Sequence, residues 1–260
     1  MVYIIAEAGV DHEGSSVRME QLADICFKSG ADALKIQWFQ KCLRGPTREL
    51  PWIGPDVINN LVISCIEKGT DFIITPHDDW AINHIGNNKW PLDYVKIGSG
   101  GWHLIEHART LDVPLIISTG MKTHEEVQGL AMRPGDMILH CVSEYPCPAH
   151  RANLPYIAML QHMLSQLPED FQCKAGYSDH CAGPNIALAS LPIGDILEKH
   201  ICLEKDIEGR QDTFCALDKE EFIKFVSDAR EIDLALTARE KVPTEGEVET
   251  AKWLNQRLVH

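Results

Sequence analysis

The sequence has few basic residues for its acidic content and contains no long apolar run. Its 24 lysines and arginines are outnumbered by 38 aspartates and glutamates, which gives a formal net charge of −14 at pH 7. Because phosphate backbones need a basic surface, this balance argues against nucleic-acid binding. No apolar stretch approaches the roughly 20 residues of a membrane span, and the first residues predict a strand where a secreted protein carries a signal peptide. We therefore expect a cytoplasmic protein that binds neither nucleic acid nor membranes.

Sequence motifs for nucleotides and for structural zinc are also absent. The 260 residues contain no GxGxxG, GxxxxGK[ST] or CxxC string. Nine cysteines are present, but Cys26, Cys65, Cys141 and Cys202 lie within apolar helix or strand patterns, where cysteine behaves as a small hydrophobe. We expect mostly structural thiols in a reducing compartment.

Eight short apolar runs, spaced about 20 to 35 residues apart, end in polar side chains. The segments between them have helical periodicity and helix-start signals, such as the capping pair Thr123 and Glu126. Eight alternations of strand and helix predict an α/β protein with a parallel sheet. Polar residues at nearly every strand end favour a closed, single-domain (β/α)8 TIM barrel over an open sheet with one switch point. We expect the barrel over residues 1–240 and a helical tail over residues 241–260.

Two histidines, His180 and His200, stand at the ends of the seventh and eighth runs, which are neighbours in such a barrel. Imidazoles from adjacent strand ends can bind a divalent metal. Each histidine stands beside a carboxylate in the sequence, Asp179 or Glu198. Two ligands do not complete a metal site, so water and substrate would supply the rest. The alternative is a pair of histidines that are only hydrogen-bonded in a polar mouth.

Two lysines, Lys35 and Lys96, interrupt apolar runs near strand ends, where a buried ammonium group needs a partner. With strand-end hydroxyls they would form a ring of groups suited to phosphate or carboxylate. Those hydroxyls belong to Thr75, Ser99, Ser118 and Ser178. The alternatives are salt bridges with Glu7 or Glu198, or a Schiff-base lysine. Glu7 and Glu198 also have two possible roles: they act as general acids or bases, or they only compensate the charge of the lysines.

Nine strings occur along the chain in a characteristic order. They are AEAGVDHEGS, ADALKIQWF, DFIITPHD, YVKIGSG, PLIISTGM, ILHCVSEYP, GYSDH, ILEKH and KDIEGRQD. Together they resemble the catalytic barrel of the sialic acid synthase family, the N-acetylneuraminate synthases, over roughly residues 1–230. The resemblance implies condensation of phosphoenolpyruvate with an aldehyde amino sugar, such as N-acetylmannosamine, with release of phosphate. The product would be a 2-keto-3-deoxy sugar acid of the sialic acid type.

The resemblance also implies a divalent metal, Mn²⁺ or Mg²⁺, and roles for individual residues. The metal ligands would be His180 and His200. The catalytic positions would be Glu7, Glu198, Lys96 and Asp212. The positions that match substrate-binding groups are Lys35, Gln37, Thr75, Lys96, Ser99, Ser118, Ser143, Tyr145 and Ser178.

Four positions, Asp11, Ile74, His77 and Gly101, depart from the residues usual in these strings. The resemblance places these changes on the sugar side or on the lid, and Asp11, His77 and Gly101 indicate a different or smaller aldehyde acceptor. By their position outside strand ends, His77 and His103 are expected to be surface histidines. Family members also continue into a small antifreeze-like domain that completes the partner's sugar site in a swapped dimer. This sequence ends before such a domain, so a homodimer would need contacts between barrels.

Three other functions stay open on the sequence. The first is condensation of phosphoenolpyruvate with a non-sugar or phosphorylated aldehyde. The second is a Schiff-base aldolase that uses Lys35 or Lys96 on pyruvate. The third is a non-catalytic barrel that binds a ligand or regulates another synthase, and the joint presence of both lysines with His180, Glu198 and His200 argues against it.

Overall fold

The eight apolar runs form parallel strands that close into a barrel, with each strand beside the next and the last beside the first. The computed structural model describes residues 1–41, 51–237 and 240–257. The strands are β1 Tyr3–Gly9, β2 Ala33–Trp38, β3 Asp71–Pro76, β4 Tyr94–Ile97, β5 Leu115–Ser118, β6 Met137–His140, β7 Lys174–Asp179 and β8 Ile196–His200. The predicted α/β architecture, a (β/α)8 TIM barrel, is confirmed.

Helices follow the strands, and all of them but the last described one pack on the outside of the barrel. They are α1 Ser16–Ser29, α2 Pro55–Lys68, α3 Asp79–Asn88, α4 Ile105–Ala108, α5 His124–Gln128, α6 Pro155–Leu164, α7 Asn185–Ala189, α8 Lys219–Leu236 and α9 Glu245–Arg257. The predicted capping box begins α5: the Thr123 hydroxyl accepts from the Glu126 N–H, and the Glu126 carboxylate accepts from the Thr123 N–H. Such reciprocal bonds satisfy two backbone donors that a helix start leaves free.

The interior of the barrel is apolar below its mouth. One buried cluster fills it, formed by Ile5, Ala33, Ile73, Ile116, Met137, Leu139 and Ile196. Most of these residues stand two positions before a polar residue, as Ile5 stands before Glu7 and Ile196 before Glu198. Since side chains alternate along a strand, both members of such a pair point into the barrel. The apolar layer therefore closes the floor and leaves a polar layer at the C-terminal mouth.

Strand register brings the polar residues of neighbouring strands level with one another. Glu7 of β1 is level with Lys35 of β2 on one side and with His200 of β8 on the other. Short 3-10 turns after β4 and β8, Ser99–Leu104 and Gln211–Phe214, bring further polar side chains to the same end of the barrel. The chemistry-bearing residues are thus gathered at one end of the molecule, where parallel barrels carry their active sites.

The last described element is helix α9, whose described side chains are all exposed, including Trp253 and Leu254. This helix lies within the predicted 241–260 tail. The division into a barrel and a tail stays a prediction, as do the cytoplasmic location and the homodimer. Among the described residues, no helix combines the length and the apolar character that crossing a membrane requires.

Candidate active site

The C-terminal ends of the strands surround one cavity of about 550 Å³. Every predicted site residue except Asp212 lines it: Glu7, Lys35, Gln37, Thr75, Lys96, Ser99, Ser118, Ser143, Tyr145, Ser178, His180, Glu198 and His200. Asp212 lies at the edge, with its Oδ2 atom 3.9 Å from Nδ1 of His200. The structure therefore brings the predicted residues together, from all eight strand ends, around a single space.

Two lysines and two glutamates form a buried charge network in the floor of the cavity. Lys35 Nζ lies 2.5 Å from Glu7 Oε2 and 3.6 Å from Glu198 Oε1. Lys96 Nζ donates to Glu198 Oε2 at 2.8 Å, and the Ser178 hydroxyl donates to the other oxygen of that carboxylate at 2.7 Å. The sequence left an anion-binding ring, salt bridges and a Schiff-base lysine as alternatives. The salt bridges are present, and the same ammonium groups line the cavity, so anion binding stays a prediction.

The network separates the proton affinities of its two carboxyl groups. Burial raises the pKa of Glu7, and the nearby Lys35 ammonium does not outweigh that cost. Burial also disfavours the charged form of Glu198, but the ammonium groups of Lys35 and Lys96 outweigh it and hold the pKa well below its usual range. The pKa of Lys96 is lowered, chiefly by burial. Glu7 is therefore the carboxyl group that more readily holds a proton.

A glycine shapes the hydroxyl-lined wall of the cavity. A Cβ atom on Gly120 would lie 2.4 Å from Ser143 Oγ, 2.6 Å from Ser99 Oγ and 2.9 Å from Cys141 Sγ. Three polar atoms thus converge on the place where any other residue would put its side chain. Sequence reasoning missed Gly120 and Cys141 as site residues. The available signal was the position of Gly120, two residues after Ser118, which ends β5.

The two predicted metal ligands lie side by side at the ends of neighbouring strands, with 5.5 Å between the ring centroids of His180 and His200. Nδ1 of His180 lies 2.7 Å from the Val142 carbonyl oxygen, so this nitrogen donates and Nε2 keeps a free lone pair. Burial lowers the pKa of His180 to about 4 and that of His200 well below its usual value. Neutral imidazoles are the form that binds metals.

His180 and His200 would be the protein ligands of a metal held at this end of the barrel. Within residues 1–41, 51–237 and 240–257, no three His, Cys, Asp or Glu side chains are grouped closely enough to hold one. The two imidazoles fit a metal whose remaining positions are filled by water or substrate, and the metal itself stays a prediction. The Tyr145 ring lies beside them, 4.1 Å from the His180 ring and 6.0 Å from the His200 ring.

Several expectations need correction or refinement. His77 and His103 are exposed, as expected, but they also line the cavity mouth: His77 directly follows β3, and His103 lies in the 3-10 turn after β4. Of the four departures, Ile74 is fully buried in the core between the strands and the surrounding helices. Its neighbours on β3, Ile73 and Thr75, are the residues that point into the barrel. Asp11 also lies outside the cavity lining, and its carboxylate accepts from the Leu203 N–H at 2.9 Å.

Asp179, which precedes His180 in the sequence, does not join it at the polar mouth. It is fully buried and does not line the cavity. Its carboxylate is bound by the Lys199 ammonium group at 2.6 Å. Adjacent residues of a strand point to opposite faces, so a carboxylate next to a cavity histidine in sequence faces the helices in space.

The barrel and its polar mouth define a (β/α)8-barrel enzyme. Residues 49–241 match the family model of NeuB, and the chain belongs to the NeuB family. Its relatives are named as synthases, which are carbon–carbon bond-forming transferases, and the chain is an enzyme of this synthase-like class.

Similarity extends over most of the chain in each comparison. The N,N'-diacetyllegionaminic acid synthase of Campylobacter jejuni is 27% identical, over 98% of this chain and 84% of that protein. The human N-acetylneuraminate-9-phosphate synthase is 27% identical, over 90% of this chain and 71% of that protein. The crystal structure of N-acetylneuraminic acid synthetase from Leptospira borgpetersenii in complex with citrate superposes with a TM-score of 0.79 at 25% identity, covering 98% of this chain and 91% of that chain.

Proposed function

We propose that the protein condenses phosphoenolpyruvate with an aldehyde amino sugar of the N-acetylmannosamine type, in a metal-dependent reaction that releases phosphate. The product is a 2-keto-3-deoxy sugar acid of the sialic acid type. One observation carries the proposal: a single cavity of about 550 Å³ has two ammonium groups and convergent hydroxyls beside two neutral imidazoles. The synthase names of the relatives point to the same chemistry.

Phosphoenolpyruvate carries a phosphate and a carboxylate, and the floor of the cavity offers groups that bind both. Lys35 and Lys96 supply positive charge, and Ser99, Ser118 and Ser143 supply hydroxyl donors around it. Without substrate, the ammonium groups are held by Glu7 and Glu198. The phosphate and carboxylate of the bound substrate would therefore find the cations already positioned and largely stripped of water, which strengthens the attraction.

The acceptor aldehyde would lie beside the imidazoles. His180 and His200 would hold the divalent cation, which when bound polarises the carbonyl oxygen of the aldehyde as a Lewis acid. Tyr145 lies against both rings and Asp212 is 3.9 Å from one, so these two side chains are placed to contact the sugar hydroxyls. Gln37, which donates to Glu7 at 3.2 Å, reaches the same space.

The proposed reaction forms one carbon–carbon bond and breaks the bond between C2 and the phosphate oxygen. C3 of phosphoenolpyruvate bonds to the aldehyde carbon, whose oxygen takes a proton, and positive character develops at C2. Water adds to C2 and gives up one proton as it bonds. The C2–O bond to phosphate then breaks, the second proton of the water leaves with the phosphate, and the keto acid remains. Glu7 is the group assigned to move the proton, because its pKa is raised while Glu198 stays ionised between Lys35 and Lys96.

The test is phosphate release by purified protein supplied with phosphoenolpyruvate, Mn²⁺ and a panel of aldehydes led by N-acetylmannosamine. Release that needs one acceptor and stops with chelator supports the proposal and names the acceptor. The panel includes smaller and phosphorylated aldehydes, because His77, His103 and Gly101 surround the mouth. Lys96→Met should abolish release, while Lys174→Met, at an exposed lysine that begins β7, should not change it. Release without any acceptor, or none with intact phosphoenolpyruvate binding, would contradict the proposed reaction.

A Schiff-base aldolase has one observation in its favour. Burial lowers the pKa of Lys96, and a neutral amine is the nucleophile such enzymes need. The Glu198 carboxylate, 2.8 Å from Lys96 Nζ, instead favours the ammonium form. Borohydride trapping with pyruvate distinguishes the two functions, since only an imine leaves a reduced adduct on the lysine.

A further inference from the structure

A fully buried ion pair lies beside the two histidines but outside the cavity. Lys199 Nζ donates to Asp179 Oδ2 at 2.6 Å, and both side chains have 0% exposure. The two residues are level across β7 and β8. They directly precede His200 and His180 in the sequence. Since His200 faces the cavity, strand alternation turns Lys199 to the opposite face of the sheet.

Stability alone does not account for this pair. The cost of removing two charges from water can exceed their attraction, and well-packed apolar residues often give equal or greater stability. What the charges add is a set of hydrogen bonds to the turn after β7. Lys199 Nζ also donates to the Cys181 carbonyl oxygen at 2.6 Å, and Asp179 Oδ1 accepts from the Cys181 N–H at 2.9 Å. The residues on both sides of His180 are thereby fixed to β8.

His180 is held by the loop after β6 as well. Its backbone carbonyl oxygen accepts from the Cys147 N–H at 2.8 Å, and its Nδ1 atom donates to the Val142 carbonyl oxygen at 2.7 Å. With Lys199 bonded on the other side, both the backbone and the ring of His180 have hydrogen-bond partners. In this position the ring of His180 lies 5.5 Å from the ring of His200, measured between centroids.

We infer that Lys199 and Asp179 form a positioning pair, which sets the two imidazoles at the spacing that a divalent cation requires. The inference rests on the metal site of the proposed function. The pair contacts neither the cation nor the substrate and acts through the peptide bonds to His180 and His200. Loss of supporting contacts around metal ligands typically weakens metal affinity about 10- to 100-fold, and that is the expected effect here.

The experiment measures the affinity for Mn²⁺ alone, by isothermal titration calorimetry and by the electron paramagnetic resonance signal of free Mn²⁺. Lys199→Met removes the ammonium group and keeps the chain length. The matched control is Arg109→Met, because Arg109 Nη1 donates to Asp136 Oδ2 at 3.0 Å in another buried ion pair, away from the cavity. Both variants should be less stable. Only Lys199→Met should weaken Mn²⁺ binding, by about 10- to 100-fold.

The possible results of this experiment separate the positioning role of the ion pair from the metal site itself. If Lys199→Met does not fold, the double variant Lys199→Met with Asp179→Leu leaves no unpaired charge and is measured in its place. Wild-type Mn²⁺ affinity in a folded variant overturns the positioning role and leaves the metal site standing. Equal weakening by Arg109→Met overturns it too, because the effect would then follow from general loss of stability. A wild-type protein that binds no Mn²⁺ overturns the proposed metal site itself, and this inference with it.

Discussion

Gly120→Ala should remove phosphoenolpyruvate binding without unfolding the protein. The added methyl group would lie 2.4 Å from Ser143 Oγ and 2.6 Å from Ser99 Oγ. Ordinary contact begins near 3.4 Å, so the two hydroxyls must retreat by about 1.0 Å (3.4 − 2.4) and 0.8 Å (3.4 − 2.6). Each hydroxyl is the end of a short side chain that rotates about one bond, so the clash is relieved by turning it away from the cavity.

The expected magnitude follows from this displacement. A misplacement of roughly 1 Å in a positioned group costs about 100-fold in catalytic efficiency, and we expect at least that loss in phosphoenolpyruvate affinity and in kcat/KM. The cost of overpacking to the fold should be about 1–3 kcal/mol, which a barrel of this size tolerates. Isothermal titration with phosphoenolpyruvate and a thermal melt measure the two effects separately.

The matched control is Gly101→Ala in the same cavity. Its added methyl group would meet nothing closer than 3.6 Å, at Ile97, and therefore should leave the affinity for phosphoenolpyruvate nearly unchanged. If folded Gly120→Ala binds phosphoenolpyruvate within threefold of the wild type, the convergence of hydroxyls at this glycine is not the anion site. Equal losses in the two variants would contradict the geometric argument as well.

Three further predictions concern stability and are each read by urea unfolding. Glu198→Gln removes a negative charge that pairs with the buried ammonium groups of Lys35 and Lys96, and should lower the free energy of unfolding by about 3–5 kcal/mol. A decrease of less than about 1 kcal/mol would contradict the charge network. Gly176→Ala would place a methyl group 2.2 Å from the Ile196 carbonyl oxygen and should lower the free energy of unfolding by about 3 kcal/mol or prevent folding. Its control is Gly246→Ala, whose methyl group would meet nothing within 4 Å and should not destabilise the protein. Equal effects of the two variants would contradict the close packing of Gly176 against Ile196. Burial lowers the pKa of both His12 and His180 from 6.5 to about 4. The metal-free protein should therefore keep its full free energy of unfolding above pH 6.5 and lose up to about 3 kcal/mol per histidine as the pH falls to 4. A free energy of unfolding that does not change between pH 6.5 and 4 would refute the burial of these histidines in the neutral form.

The barrel could be predicted because its signal is local. An inward apolar residue such as Ile196 is followed two positions later by an inward polar residue such as Glu198, and the same spacing recurs at other strands. Each strand end therefore carries its part of the site in its own sequence. Closure of the barrel then brings those parts together without any further information from the chain.

What could not be predicted depends on contacts between separate strands. The role of Gly120 exists only because Ser99, Cys141 and Ser143 arrive from other loops and strands. The pairing of Lys199 with a carboxylate depends on the register between β7 and β8, which long-range packing sets. The two glutamates also look alike in sequence, and only the number of ammonium groups near each one separates their pKa values.

The most direct test of the proposed function follows one oxygen atom. Phosphoenolpyruvate with ¹⁸O as the oxygen that bridges C2 and phosphorus is incubated with the protein, Mn²⁺ and the acceptor. Mass spectrometry then measures the masses of the products. The account predicts that the label leaves in phosphate and that the sugar acid gains three carbons. Label retained in the organic product, or phosphate released without a new carbon–carbon bond, would contradict it.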